Sequence, residues 1–417
     1  MNEYRPRLLD TVLAGRLAQH PTLVITGAPG CGKSTTAARY TRSVIRMDAT
    51  RAGSLGANPS ALLEGREEPI HLESRQSLAE VAGAATRTAV AEHSTGRLVI
   101  TGSARSEILD EHLLGAHDIA VLEMYPLTIA EQLELPPPRF IDRVLTGELL
   151  APSGNPQLGP DDYIRLALRG GFPESALEAD EADARQWLKD YAERIISRHV
   201  QTVTEVPRRV DFRRYVRQYA LHSADIGGEG DPSSQQAVLW PADYLLSRKS
   251  LVACERYLRD LMVVDWLPAW RTKRPRRLSL SPKQFVIDAG LLAAMLGVEE
   301  KDVLARDVLR RKVIDTFVMA QLRAEVANVR PRYRLSHLRD HSGRRKVDVI
   351  VELPDRGIVG INIVATSNVR DSDARDLQWL KETIGRPFVA GIVLHTGPST
   401  LRLPGGMVAA PISALWE

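Results

Sequence analysis

Nine consecutive residues near the N-terminus have the types and order of a phosphate-binding loop. They are Gly27, Ala28, Pro29, Gly30, Cys31, Gly32, Lys33, Ser34 and Thr35. Glycines let the backbone curl so that successive N–H groups face a β-phosphate, and a following helix adds the positive end of its dipole. We expect Lys33 to reach the β- and γ-phosphates and the Ser34 hydroxyl to ligate Mg²⁺. The G-x-x-x-x-G-K-S spacing of residues 27–34 therefore predicts a site for ATP and Mg²⁺.

Hydrolysis of ATP also requires carboxylates at the end of a neighbouring strand. One holds the water shell of the metal, and another polarises the attacking water. The strand predicted over residues 70–76 offers one acid, Glu73, with Ser74 beside it. Glu73 is the candidate second metal ligand and, with Lys33, a candidate catalytic residue; an ordinary charged strand end fits it equally well. Because serine is no base near neutral pH without an activating partner, we expect slow hydrolysis unless Asp48 or Glu68 enters the site.

The loop lies in a region where predicted strands and helices alternate. Short apolar runs rich in β-branched residues predict strands, and apolar spacing predicts helices. The strands are predicted over residues 22–27, 43–47, 69–72, 97–101 and 118–123, and the helices over 34–40, 59–65 and 78–92. This alternation indicates an α/β fold with a parallel sheet covered on both faces. Proline and glycine near residues 135–138 and 151–156 end the pattern.

The rest of the chain divides into two further regions. The middle region has predicted helices followed by two β-like segments, which is the order of a winged helix. Its helices cover residues 187–203, 212–221, 243–249 and 251–261, and its β-like segments cover 262–270 and 277–280. The last region is mixed α/β, with helices at 289–296, 308–326 and 372–384 and strands at 346–352, 357–364 and 388–394. We therefore predict three domains, 1–150, 151–285 and 286–417.

A basic segment between the two β-like segments is a candidate DNA contact. Its positive charges are Arg271, Lys273, Arg274, Arg276 and Arg277. Contacts from such a loop to a phosphate backbone are physically reasonable. A solvated hairpin tip, or a surface that docks on protein, fits the same charges. Lys+Arg 55 against Asp+Glu 52 excludes binding to nucleic acid by bulk charge alone, so any such contact is local.

The composition limits the classes of protein to which the chain can belong. Its 417 residues are 44% hydrophobic and 26% charged, which is typical of a soluble globular chain of two or three domains. Two cysteines, Cys31 and Cys254, exclude a disulfide framework and a cysteine zinc site and favour a reducing cytoplasm. Residues 1–10 are polar and no run approaches a membrane span, so we expect neither export nor membrane insertion.

Several segments resemble, in order, those of a family of prokaryotic AAA-type ATP-binding proteins. Besides the phosphate loop, they are residues 70–76, 98–103, 126–128 with Glu131, 170–173 and 282–291. In that family a P-loop domain is followed by a winged helix and by a domain of unknown function similar to PD-(D/E)xK nucleases. The resemblance covers the chain nearly end to end, and it implies Mg-ATP binding and homo-oligomers.

The chain departs from this family at the groups that cleave ATP. The family usually has Asp-Glu where this chain has Glu73 and Ser74, so the metal ligand is kept and the water-polarising acid is lost. It usually has Gly-Arg, a candidate arginine finger, where this chain has Gly115 and Ala116. An arginine finger contributes roughly three or more powers of ten in rate. The resemblance thus implies weak or absent hydrolysis, unless Arg105 replaces the finger.

The C-terminal region departs from the nuclease pattern in a similar way. That pattern needs an acid and then Glu-x-Lys on the following strand, to bind Mg²⁺ and direct a water molecule. Asp348 matches the first acid, but the next strand has Asn362, Ile363 and Val364 at the other positions. Because one carboxylate holds Mg²⁺ poorly, we predict no nuclease activity.

These inferences lead to one preferred function and two alternatives. We expect a nucleotide-dependent switch or regulator that acts on DNA or on a protein partner. One alternative is a P-loop phosphotransferase, which needs no water-polarising acid. The other is an interaction scaffold that nucleotide only stabilises.

Overall fold

The structure, a computed structural model, divides into two compact units. It describes residues 4–47, 63–74, 95–102, 119–150, 158–178, 180–202, 209–226, 247–270, 281–329, 332–340 and 344–417. Unit 1 comprises Met1–Leu127 and Leu258–Val263, and unit 2 comprises Thr128–Tyr257 and Val264–Glu417. Among the described residues, no helix combines the length and the apolar character needed to cross a membrane.

The sheet of unit 1 has five strands that all run parallel. They are β1 (Thr22–Gly27), β2 (Ser43–Met47), β3 (Ile70–Ser74), β4 (Leu98–Gly102) and β5 (Ile119–Met124). Their order across the sheet is β2-β3-β4-β1-β5, so that β1 pairs with both β4 and β5. Buried valine, isoleucine and leucine side chains of β1 to β4 form one core cluster, because such side chains pack well on a pleated surface. The predicted parallel sheet is therefore confirmed.

Two described helices accompany this sheet. Helix α1 (Asp10–Gln19) precedes β1 and buries Leu13 and Leu17, and helix α2 (Lys33–Ala38) follows β1. The prediction of a helix up to residue 65 is wrong, because residues 63–65 form a turn in which Gly65 has a φ of +72°. The remainder of that predicted helix, 59–62, and the whole of the one predicted over 78–92 lie outside the described residues.

The first part of unit 2 is helical and ends in a strand pair. Its helices are α3 (Ile129–Gln132), α4 (Phe140–Thr146), α5 (Pro160–Arg169), α6 (Pro173–Ala176), α7 (Glu181–Thr202), α8 (Arg209–Leu221) and α9 (Arg248–Asp260). The helices predicted over 187–203, 212–221 and 251–261 are confirmed as α7, α8 and α9, whereas α5 was not predicted. The predicted break between 249 and 251 is wrong, because α9 continues through it, and residues 243–246 of the other predicted helix lie outside the described residues. Strand β6 (Val264–Leu267) pairs antiparallel with β7 (Lys283–Val286). The partner of β6 thus lies later in the chain than the predicted 277–280, a segment outside the described residues.

The C-terminal sheet has six strands in a mixed arrangement. They are β8 (Arg334–Arg339), β9 (Lys346–Glu352), β10 (Ile358–Val364), β11 (Phe388–His395), β12 (Leu401–Leu403) and β13 (Met407–Pro411), in the order β12-β13-β11-β10-β9-β8. Strands β10, β11 and β13 run parallel to each other, and the other pairs are antiparallel. The accompanying helices are α10 (Ala289–Leu296), α11 (Glu300–Ala305), α12 (Asp307–Val326) and α13 (Arg375–Ile384). The predicted mixed α/β region is confirmed.

Two of the segments that carry the resemblance meet at the start of α10. Asp288 caps this helix by accepting the Leu291 N–H at 2.7 Å, and it also accepts the Gly171 N–H at 2.7 Å. Gly170 has a φ of +73°, and a Cβ on it would lie 2.7 Å from the Asp288 carboxylate. A Cβ on Gly290 would lie 2.7 Å from a backbone oxygen of α5. Close packing of main chain therefore explains these residue types.

Candidate nucleotide-binding site

The predicted phosphate loop joins the carboxyl end of β1, a fully buried strand, to the N-terminus of α2. Gly30 and Gly32 have φ angles of +78° and +100°, in the left-handed region that favours glycine. A Cβ on Gly27 would lie 2.3 Å from the carbonyl oxygen of Met124, at the end of β5. The path of the backbone thus requires glycine at these three positions.

Lys33, the first residue of α2, is buried and turns back into the loop. Its ammonium donates to the carbonyl oxygens of Gly27 and Ala28, both at 2.8 Å. Burial lowers the pKa of Lys33, because the charged form loses its water. Carbonyl dipoles compensate a buried ammonium only in part, and a phosphate anion supplies the full counter-charge. The loop is therefore set up to attract an anion.

Ser34 and Glu73, the two predicted metal ligands, lie together at the carboxyl edge of the sheet. The Ser34 hydroxyl donates to Glu73 Oε1 at 2.9 Å. Glu73 Oε2 accepts from Arg46 Nε at 3.2 Å, and Arg46 lies opposite Glu73 in the β2–β3 register. Because the Arg46 side chain is 75% exposed, this ion pair is weak. A hydroxyl beside a carboxylate suits Mg²⁺, so these residues fit the metal that the loop implies.

Two other polar groups on or beside these strands have partners of their own. Glu68 lies before the amino end of β3, at the opposite edge from Glu73, and its carboxylate pairs with Arg97 at 2.8 Å. The Thr101 hydroxyl, on β4, shares a 2.7 Å hydrogen bond with His71 Nε2. Burial lowers the pKa of His71, which favours the neutral ring. Glu68 is therefore not placed to polarise a water molecule beside Glu73.

Sequence reasoning missed a segment before α1 that supports the loop. The guanidinium of Arg7 donates to the carbonyl oxygens of Cys31 at 2.8 Å and of Tyr125 at 2.6 Å. Asp10 accepts the hydroxyls of Tyr4 at 2.9 Å and of Tyr40 at 3.0 Å. Burial raises the pKa of Tyr40 to about 12, and the hydrogen bond to Asp10 adds to this effect. Positions 4–10 hold one aromatic residue, Tyr4, and three charged ones, Arg5, Arg7 and Asp10, and their spacing does not mark this role.

Several predicted functional residues lie outside the described residues. They are Asp48, Arg105, Gly115, Ala116, Arg271, Lys273, Arg274, Arg276 and Arg277.

In the C-terminal sheet, Asp348 lies on β9 and Asn362 on β10, and the Asp348 N–H donates to Asn362 Oδ1 at 3.3 Å. Within the described ranges, no group of three or more His, Cys, Asp and Glu side chains could hold a metal ion.

Comparison with known proteins gives similarities without an assigned activity. Residues 160–302 match a family described as a domain of unknown function, DUF8612, and residues 311–415 match another, DUF4143. Two curated relatives are the uncharacterized proteins Mb2031c of Mycobacterium bovis and Rv2008c of Mycobacterium tuberculosis. Each is 24% identical to this chain over 372 residues, covering 86% of the chain and 74% of the relative. The DUF4143 match and the parallel sheet are consistent with the resemblance found in the sequence.

Proposed function

We propose that unit 1 binds ATP with Mg²⁺ and acts as a nucleotide-dependent switch whose hydrolysis is weak or absent. The observation that carries this proposal is the meeting of Lys33, Ser34 and Glu73 at the carboxyl ends of β1 and β3. Ligands of open parallel sheets bind outside the carboxyl ends of the strands. The binding place is the point where the connections from two adjacent strands run in opposite directions across the sheet. Strand β1 lies at such a point, because it lies between β4 and β5.

The three side chains divide two tasks between them in this proposal. The Lys33 ammonium exchanges carbonyl oxygens for phosphate oxygens when the triphosphate enters the loop. Ser34 and Glu73 would hold Mg²⁺, which would supply positive charge beside the phosphates. Arg7 keeps the loop carbonyls in place by donating to the Cys31 oxygen.

Weak hydrolysis is expected because the Glu73 carboxylate is already engaged by other side chains. Glu73 is the one acid in the described strands β3 and β4, and it serves both Ser34 and Arg46. A general base must be within hydrogen-bond reach of the attacking water and free to take its proton. The residue after Glu73 is serine, so the strand supplies a metal ligand and no second acid.

Calorimetry of the full chain with ATP and ADP, with and without Mg²⁺, tests the proposal. We expect Lys33→Ala to weaken ATP binding roughly 10-fold to 100-fold, because one charge-assisted hydrogen bond contributes about 1.5–3 kcal/mol. Arg42→Ala removes an exposed positive charge from the same unit and should bind as the wild type does. No uptake of ATP by the wild type at millimolar concentration ends the proposal.

A product assay separates the switch from its alternatives. Rapid phosphate release that disappears in Lys33→Ala contradicts weak hydrolysis. Transfer of label from ATP to a small molecule selects a phosphotransferase. Tight binding that changes neither the shape of the protein nor its affinity for partners selects the scaffold. Tight binding with a change of shape and neither reaction supports the switch.

The wider proposal concerns the rest of the chain and its partners. We infer an AAA-like domain at 1–150, a winged-helix domain at 151–285 and a degenerate nuclease-like domain at 286–417, in a homo-oligomer that acts on DNA or on a protein. The salt dependence of DNA affinity, compared between wild type and the double variant Arg274→Ala with Arg276→Ala, tests the DNA branch. An unchanged slope removes the basic segment from the argument.

A further inference from the structure

Two buried carboxylates lie close together in unit 2. Asp348 is on β9 and Asp315 on α12, and their side chains are 4% and 7% exposed. Burial, and then the charge of Asp348, raise the pKa of Asp315 to about 6. Asp315 Oδ1 is buried and accepts no hydrogen bond from any described residue. Sequence reasoning treated Asp348 as a lone acid, and the second acid from α12 corrects that view.

A lysine from another strand forms a buried ion pair with one of these two acids. Lys283, the first residue of β7, is buried, and its ammonium donates to Asp348 Oδ1 at 3.0 Å. The same ammonium lies 3.4 Å from the Asp348 carbonyl oxygen. Asp348 Oδ2 accepts the N–H of Ile363, on β10, at 3.2 Å. Both carboxylate oxygens of Asp348 are therefore engaged by groups of the chain itself.

The other nearby cations are more exposed than Lys283. Lys346 Nζ lies 3.5 Å from Asp348 Oδ1, and its side chain is 41% exposed. Arg311 Nε lies 3.6 Å from Asp315 Oδ2, and its side chain is 52% exposed. Water screens both of these charges, so Lys283 provides most of the compensation inside the cluster.

The nuclease resemblance implies a divalent cation at Asp348, and the residues present do not fit one. A metal ion would have to displace the Lys283 ammonium from Oδ1 or the backbone N–H from Oδ2. The next strand offers Asn362, whose amide oxygen already accepts the Asp348 N–H and whose Nδ2 donates to the Asp373 carbonyl oxygen at 3.0 Å. Mg²⁺ prefers several oxygen ligands in octahedral geometry, and of the four carboxylate oxygens of the pair only Asp315 Oδ1 has no partner among the described residues.

We propose that the Lys283 ammonium is the built-in cation of the acid pair, in place of a divalent metal, and that it latches the β6–β7 hairpin to the C-terminal sheet. Lys283 lies in the segment 160–302 and both acids in 311–415, the two segments that match separate families. The residues that connect β6 to β7 include the basic segment 271–277. The latch therefore ties β7, the strand that follows the basic segment in sequence, to the C-terminal sheet.

The latch is tested by removing the Lys283 ammonium through mutation and then adding a small soluble ammonium ion of the same shape. Lys283→Ala removes the equivalent of a propylammonium ion, so we expect the thermal midpoint of unit 2 to fall by about 10 °C. Tryptophan fluorescence reads this unit alone, because all six tryptophans, at 187, 240, 266, 270, 379 and 416, belong to it. Adding n-propylammonium should recover about half of the loss. Lys301→Ala, which removes an 80% exposed lysine, should leave the midpoint unchanged.

Neutral and bulky additives separate charge from volume. The uncharged 1-propanol fills the same space, and tetramethylammonium carries the charge without fitting it; neither should restore the midpoint. Equal recovery with 1-propanol means that Lys283 only fills space, and this overturns the proposal, as does an unchanged midpoint in Lys283→Ala.

A second pair of variants serves if the alanine variant fails to fold. Lys283→Met keeps the bulk and leaves the Asp348 charge stranded, so adding Asp348→Asn to it should raise the midpoint. A thermal midpoint that does not rise in the double variant contradicts the latch. Mn²⁺ titration of nucleotide-free wild type, followed by electron paramagnetic resonance, tests the absence of a metal. Binding that is lost in Asp348→Asn overturns the proposal, and equal binding by both proteins supports it.

Discussion

Replacing Glu325 by glutamine should stabilise unit 2 at neutral pH and leave its stability unchanged in acid. Glu325 lies on α12, and its Oε1 accepts the N–H of Ile141, in the first turn of α4, at 3.0 Å. Its Oε2 is buried, and no described residue donates to it. Burial raises the pKa of Glu325 to about 7 from an ordinary value of 4.5, because the ionised form loses its water. Glutamine keeps an oxygen for Ile141 and carries no charge.

The pH dependence follows from the protons bound in each state. Below pH 4.5 the Glu325 carboxyl is protonated in both the folded and the unfolded chain, so its ionisation costs no stability. Between pH 4.5 and about 7 the unfolded chain releases a proton that the folded chain keeps, and stability falls as pH rises. A shift of this size corresponds to about 3 kcal/mol at most, reached above pH 7. The unfolding free energy of Glu325→Gln should therefore equal that of the wild type in acid and exceed it by up to about 3 kcal/mol above pH 7.

Urea unfolding followed by tryptophan fluorescence, at several pH values from about 4.5 to 8, measures this difference. Asp288 and Asp315, whose pKa values burial raises to about 6, also lower stability in this range. Their effect is common to both proteins and cancels in the difference. Glu382→Gln changes an exposed glutamate on α13 and is the matched control. A gain or loss for Glu325→Gln that is the same at every pH would refute the reasoning.

Two further substitutions test local geometry. Gly27→Ala should abolish ATP binding in calorimetry, because the new Cβ would lie 2.3 Å from the Met124 carbonyl oxygen. The control Gly15→Ala, which adds a methyl group in open space on α1, should bind ATP normally. Unchanged affinity in Gly27→Ala would show that the loop can rearrange. Thr128→Ala should lower the unfolding free energy of unit 2 by about 1 kcal/mol, because it removes the capping box with Glu131. Thr128→Ser keeps the hydroxyl and should keep the stability. Equal losses of unfolding free energy in both variants, measured in urea, would mean that the hydroxyl is not the cap.

The strands and the phosphate loop were predictable because local sequence determines them. Continuous β-branched runs predicted β1 and β2 at their observed bounds, and the glycine spacing identified the curl before Lys33. Glu73 was a candidate because parallel strands bring their carboxyl ends to one edge of a sheet. Its hydrogen bond to Ser34 follows from that topology.

The missed residues take part in contacts between elements that are distant in sequence. Arg7 reaches Tyr125 across 118 positions and Lys283 reaches Asp348 across 65, and neither spacing has a local signature. Strand β8 reads RLSHLR, with exposed arginines at both ends and the buried polar residues Ser336 and His337 at its centre, so its hydropathy does not mark a strand. Burial of such polar groups depends on partners that only the folded sheet provides.

The junction at the start of α10 constrains few positions. Asp288 recognises main-chain N–H groups, Gly170 leaves room for the Asp288 carboxylate, and Gly290 leaves room for a main-chain oxygen of α5, so neighbouring side chains can change without disturbing this contact. A chain can therefore diverge widely around this junction as long as these three residue types stay fixed. A search for remote relatives that weights Gly, Asp and Gly at these positions should recover chains that a whole-length comparison overlooks.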